Sequence, residues 1–217
     1  MTHPKLVEAM SRPGFYPHRP PSVQLVQTHI SFVFIAGDRV YKVKKAVDFG
    51  FLDFTTLDKR KHFCEEELRL NRRLAPDAYL EVAAIGEDAG GTPVLGGGRP
   101  VEYAVVMRKL PPERMLKRLL AEGKAGTETM DAIAAKVADF HRRAETGGRI
   151  DATGGIGTIR RNHDENFEQT ARYIGLTIPR ERYDFLRGWV NRFLQRERPL
   201  FERSEEHTSE LQSHHPI

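Results

Sequence analysis

β-Branched and aromatic residues crowd three short stretches near the start of the chain: Val23-Gln24-Leu25-Val26, Ile30-Ser31-Phe32-Val33-Phe34-Ile35 and Val40-Tyr41-Lys42-Val43-Lys44. Gly37-Asp38, between the second and third, is a tight-turn signal, so the three stretches predict an antiparallel meander. The period then changes. Over residues 55–74, Phe63, Glu67, Leu70 and Leu74 recur at spacings of four, three and four, which marks one face of a helix. Thr56 can cap its start and Pro76 stops it. Two further strands are predicted around residues 81–85 and 101–107, joined through a Gly-rich turn that includes Gly96-Gly97-Gly98. Beyond Pro112 the pattern is helical throughout, at 113–122, 127–145, 165–174 and 180–202. A sheet with one inserted helix, followed by helices alone, is an α+β arrangement.

Composition supports a globular chain. Of its 217 residues 39% are hydrophobic, enough for a core. Residues 1–22 carry a short amphipathic piece at 6–10 and then Pro13, Pro17, Pro20 and Pro21, which reads as a leader segment packing on a domain. No stretch approaches the roughly 20 apolar residues of a membrane span, and the N-terminus lacks an apolar segment of signal-peptide length, which predicts a cytoplasmic protein without a membrane partner. Thirty-four basic and 30 acidic residues give a formal charge of +4. Basic runs such as Lys59-Arg60-Lys61 sit beside acids and without interleaved aromatics, so they read as solvated helix faces, and nucleic-acid binding is disfavoured. The single cysteine, Cys64, has no partner for a disulfide or a Cys-based metal site and reads as a small buried filler.

Four runs in this order carry a resemblance: Thr28-His29-Ile30-Ser31-Phe32-Val33-Phe34, Val40-Tyr41-Lys42-Val43-Lys44-Lys45, Cys64-Glu65-Glu66-Glu67-Leu68-Arg69-Leu70-Asn71-Arg72-Arg73-Leu74-Ala75-Pro76 and Val106-Met107-Arg108-Lys109-Leu110-Pro111. They resemble the N-terminal part of a bacterial family of aminoglycoside-phosphotransferase-like proteins with a protein-kinase-like fold. Some members of that family carry a P-loop ATPase domain downstream. The resemblance implies a kinase-like small lobe over 23–110, a partial helical large lobe over 111–202, ATP with Mg²⁺ as cofactors, and a small-molecule hydroxyl as the acceptor. An aminoglycoside does not follow from it.

Phosphoryl transfer asks a protein mainly to position a nucleotide and neutralise its oxygens, which calls for a lysine on a strand beneath the phosphates. Lys42 is the candidate. Strand alternation puts Val40, Lys42 and Lys44 on one face, so Lys44 is the alternative, while Lys45 at the strand end reads as solvent-facing. A solvated edge-strand lysine would look the same. A half-buried lysine needs a carboxylate, and Glu67 fits because it shares the stripe of Phe63, Leu70 and Leu74. Glu66 is next in line and Glu65 reads as exposed. The competing reading makes all three acids a helix surface balancing Lys61, Arg69 and Arg72. By resemblance, the turn carrying Thr28, His29 and Ser31 would cover the phosphates, although it lacks a Gly-rich loop. Met107 would wall the adenine pocket, the Arg108 carbonyl and Leu110 amide would read the base, and Val33 and Val106 would give it apolar contact.

Three further motifs are set aside. Asp48-Phe49-Gly50 spells the kinase metal-binding tripeptide but precedes the Glu67 helix instead of following the hinge, so it reads as a turn. In His163-Asp164-Glu165-Asn166 the spacing is wrong for a catalytic loop, and Asp164 reads as a helix cap. Gly96-Gly97-Gly98 has no following Lys-Ser or Lys-Thr and is a hairpin turn. The family's catalytic aspartate and magnesium ligands do not appear before Glu202. The chain as written is therefore expected to be inactive, with no catalytic or metal-ligating residue of its own. The alternative function is a non-catalytic nucleotide-binding regulatory module of the same fold, serving a fused P-loop ATPase domain. Residues 203–217 break the pattern: Arg203-Ser204-Glu205-Glu206-His207-Thr208-Ser209-Glu210-Leu211-Gln212-Ser213 resembles a translated sequencing adapter, so this segment is excluded as a non-native tail.

Overall fold

A computed structural model describes residues 4–199 and 201. The tail at 203–217 lies outside them. The chain divides into two compact units, Met1–Arg142 and Arg143–Ile217. The sequence reading put the division after Leu110. Within the first unit the Arg73 guanidinium, just past the inserted helix, lies 4.6 Å from the centre of the Phe140 ring.

The first unit opens with helix α1 (Pro4–Met10), followed by strands β1 (Val23–Gln27), β2 (Ser31–Ala36) and β3 (Arg39–Lys44). These form the expected meander. Ala36 pairs with Arg39 across Gly37-Asp38, and Gly37 takes the positive φ of 66° that a two-residue turn demands. Helix α2 (Leu57–Arg72) follows, with Thr56 Oγ1 accepting from the Lys59 amide at 3.2 Å. Strands β4 (Tyr79–Glu87), β5 (Pro93–Leu95) and β6 (Arg99–Arg108) complete an antiparallel sheet of order β1-β2-β3-β6-β4-β5. β5 was not expected. It pairs with β4 across a turn at residues 88–92, where Asp88 Oδ1 accepts from the Gly90 and Thr92 amides at 2.9 Å. Gly96-Gly97-Gly98 is not the expected hairpin turn, because β5 and β6 are not neighbours: these glycines carry the chain past β4, so closely that a Cβ on Gly86 would meet the Gly97 carbonyl oxygen at 1.9 Å. Asp48-Phe49-Gly50 is a turn, in which Asp48 Oδ1 accepts from the Gly50 amide at 2.8 Å.

The two faces of the sheet differ. One gathers Phe32, Phe34, Ala36, Tyr41, Val43, Ile85, Ala104 and Val106 against Leu6, Met10 and Tyr16, so the N-terminal segment covers an apolar layer. Tyr16 donates its hydroxyl to the Met10 carbonyl at 2.6 Å, which satisfies the one polar atom of that ring. The other face receives α2. Its inward residues are Arg60 and Cys64, both buried, followed by the half-buried Glu67. Of the expected stripe, Phe63 stays half-buried with its ring 5.2 Å from that of the buried Phe54, whereas Leu70 and Leu74 turn outward, 44% and 38% exposed. Helices α3 (Leu116–Ala121) and α4 (Thr127–Arg142) end the unit.

The second unit holds α5 (Gly148–Gly154), α6 (Ile156–Thr170) and α7 (Arg180–Arg196). The expectation that Asp164 caps a helix is wrong, because α6 begins at Ile156 and Asp164 sits inside it. Phe167 meets Tyr183 edge-on at 5.0 Å, and the Tyr183 hydroxyl donates to the Phe167 carbonyl at 2.6 Å. No helix among the described residues is long and apolar enough to cross a membrane.

Candidate functional site

Directly opposed residues of an antiparallel pair share a face, so the register builds the site from the sheet outward. On β3, Val40, Lys42 and Lys44 point toward α2. Their partners are Ile35, Val33 and Ser31 on β2, with Met107 and Val105 on β6 opposite Val40 and Lys42. From α2, Glu67 reaches down between the lysines. Lys42 Nζ donates to Glu67 Oε1 at 2.9 Å and Lys44 Nζ donates to Oε2 at 2.7 Å. The sequence-predicted lysine and carboxylate are brought together, and the alternative lysine joins the same carboxylate. The three side chains differ in access: Lys44 is 6% exposed, Glu67 14% and Lys42 28%.

Burial works against the charge on Glu67, but the hydrogen bonds and positive charges of Lys44 and Lys42 outweigh it. Its carboxyl pKa is held below the ordinary 4.5. The neighbouring acids do other work. Glu66 pairs with Arg69 on the helix surface at 2.7 Å, and Glu65 faces Lys61 one turn away at 3.9 Å.

The turn before β2 is organised by Thr28, whose Oγ1 accepts from the Ser31 amide at 2.9 Å. This commits the hydroxyl to the turn itself. Ser31 is fully buried and its hydroxyl meets no partner among the described residues, so the expectation that it contacts a ligand is corrected: strand pairing turns it inward beside Lys44. His29 is exposed. Lys45 was expected to face solvent. It is half-buried and closes the turn, its ammonium donating to the Thr28 carbonyl at 2.7 Å and lying 4.6 Å from the centre of the Phe32 ring.

At the far end of β6, Met107 is half-buried on the Lys42 face, Arg108 is exposed with its amide donating to the Ala78 carbonyl at 2.8 Å, and Leu110 is 58% exposed. Val33 lies on the Lys42 face. Val106 does not: it pairs with Tyr41 and belongs to the layer under the N-terminal segment. Alternation along β6 gives its place to Val105, which is fully buried opposite Lys42.

The sequence reading also missed Arg60 and Glu102. Arg60 Nε donates to both oxygens of Glu102, at 2.9 and 2.8 Å, and its Nη1 donates to the Phe54 carbonyl at 3.0 Å. Glu102 lies two residues past the last β3–β6 pair, Val43 with Ala104, where no β3 residue opposes it. A charged residue four before Cys64 and seven before Glu67 was the available signal. Among the described residues no three His, Cys, Asp or Glu side chains gather into a cation site.

No protein-family model matches the chain, and no solved structure does. Uncharacterized proteins of Mycobacterium bovis and of two strains of Mycobacterium tuberculosis are 31% identical to it over 181 residues. The match covers 83% of this chain and 35% of each relative, so the chain spans about a third of the length of the curated relatives it matches.

Proposed function

We propose that this chain carries the nucleotide-binding small lobe of a kinase-like phosphotransferase that acts on a small-molecule hydroxyl. The observation that supports the reading best is the pair of Lys42 on β3 and Glu67 on α2, with 28% of the Lys42 side chain open to solvent. Two ammonium groups on one carboxylate leave the site with surplus positive charge, which suits the oxygens of a polyphosphate. The strand-turn-strand before Lys42, the Val33, Val40 and Val105 surface beside it, and the chain leaving β6 just past Met107, after Arg108, fit the positions that a base and its phosphates require. MgATP would supply the transferable phosphoryl group. The residues of this chain would hold and neutralise it.

Calorimetric titration of the full chain with MgATP tests the reading. Lys42→Met is expected to weaken binding by roughly 10- to 100-fold, the range of one hydrogen bond between a charged donor and a charged acceptor. A chain with no measurable MgATP affinity, or one whose affinity survives the substitution, would end it.

A further inference from the structure

Glu67 has two ammonium partners where one would neutralise it. The partners are not equivalent. Lys44 is 6% exposed, and its ammonium also lies 4.8 Å from the centre of the Phe54 ring. Lys42 is 28% exposed at the same carboxylate. The other buried charged residues among those described, Arg60 and Glu102, form their own pair. The surplus charge therefore belongs to the two lysines, and only Lys42 is open enough to share it with a ligand.

We propose that Lys44 is a positioning residue that holds Glu67 permanently, so that the Lys42 ammonium can be shared with an anionic phosphate without leaving a buried carboxylate unpaired. The proposal rests on the nucleotide reading above and divides its labour between two lysines. Were Lys42 the sole partner, drawing it toward a phosphate would strip Glu67 of compensation in a site only 14% exposed, which is strongly unfavourable. With Lys44 in place, Glu67 keeps one full-strength ion pair throughout. The charge count makes the same point. Lys42, Lys44 and Glu67 sum to a net positive site, whereas Lys42 and Glu67 alone sum to zero and attract a polyphosphate far less.

The test combines a measurement on the free chain with a binding cycle. In the free chain, the Glu67 carboxyl is titrated by ¹³C NMR against its neighbours Lys42, Lys44, Cys64 and the Arg60–Glu102 pair. Lys44→Met is expected to raise the Glu67 pKa more than Lys42→Met does. The opposite order overturns the assignment of Lys44 without reference to any nucleotide.

With MgATP as probe, Lys44→Met is expected to weaken binding by about tenfold, the worth of one charge-assisted contact. The double substitution Lys44→Met/Glu67→Gln restores the net positive charge and is expected to recover to within about threefold of the unmodified chain. A merely structural lysine predicts no recovery, so a double variant as weak as the single one overturns the proposal. Lys44→Arg keeps the charge and should bind within about threefold; a loss equal to that of Lys44→Met would mark packing instead of charge and would also overturn it. Normal MgATP binding with an unaffected Lys44→Met sinks only the division of labour. An unmodified chain that does not bind MgATP sinks the nucleotide reading and the sharing of Lys42 with it.

Discussion

Replacing Glu102 with leucine is the sharpest perturbation of how α2 is fixed to the sheet. Glu102 and Arg60 are 5% and 6% exposed, and the Arg60 guanidinium is held by that carboxylate together with the carbonyls of Phe54 and Thr55. Removing the carboxylate leaves a buried cation with carbonyl partners alone, a loss of about 3–5 kcal/mol. That is a large part of the 5–15 kcal/mol that holds a typical domain folded. At roughly 2–4 °C per kcal/mol for a chain of this size, the melting temperature should fall by about 6–20 °C. Replacing both members, Arg60→Met with Glu102→Leu, removes the stranded charge and should return most of the stability, because an apolar pair of similar volume avoids the desolvation of two ions. Circular dichroism melts of the three chains measure this. If Glu102→Leu lowers stability by under 1 kcal/mol, or if the double variant is no better than the single one, the pair is not the anchor described.

Acid should act through Glu67. Its folded pKa lies below the ordinary 4.5, so its contribution to stability is present above that value and is lost as pH falls through the folded pKa. Urea melts from pH 6 to 3 should therefore show a loss in the unmodified chain that Glu67→Gln lacks, and parallel curves would contradict the pairing. Burial pushes the Cys64 thiol up to about 12, so it should resist a disulfide reagent at pH 8 in the native chain and react fully once unfolded. Rapid native labelling would show that α2 does not hold this residue against the sheet.

The strands of the meander and the capped start of α2 were legible because each rests on a local signal: β-branched runs, a Gly-Asp turn, a threonine three residues before the amide it accepts from. The pairing of Lys42 with Glu67 was legible for a different reason, since a carboxylate on an inward helical position needs a cation and β3 offered two. What sequence could not supply was rotation and register. Leu70 and Leu74 drew the apolar stripe toward themselves, whereas tertiary contact selected Arg60, Cys64 and Glu67, two of which are charged. Val106 was misplaced because the face a strand residue occupies depends on its partner, and the Val106–Tyr41 pairing is a long-range fact. α5 was missed because Gly148 and Gly154, its first and last residues, are poor helix formers by about 1 kcal/mol each, and Gly147 and Gly155 flank it as turn signals. β5 was missed because three residues between two glycine-containing turns carry no periodicity at all.

The charged interior of the α2 interface has a geometric consequence. Arg60 and Glu67 are seven residues apart, about 10 Å along a helix and close to two turns, so they project from the same side. Arg60 is bound at Glu102 on β6 and Glu67 at two lysines on β3, which ties the helix to two different strands, in its first turn and past its middle. A slip of one residue would rotate the helix by about 100° and swing both charges away from their partners at once. An apolar interface tolerates such a slip by repacking, but two ionic anchors at fixed separation do not. The arrangement thus converts the burial of charge into a single permitted setting of α2, and that setting presents the Glu67 carboxylate to Lys42 and Lys44 at 2.9 and 2.7 Å.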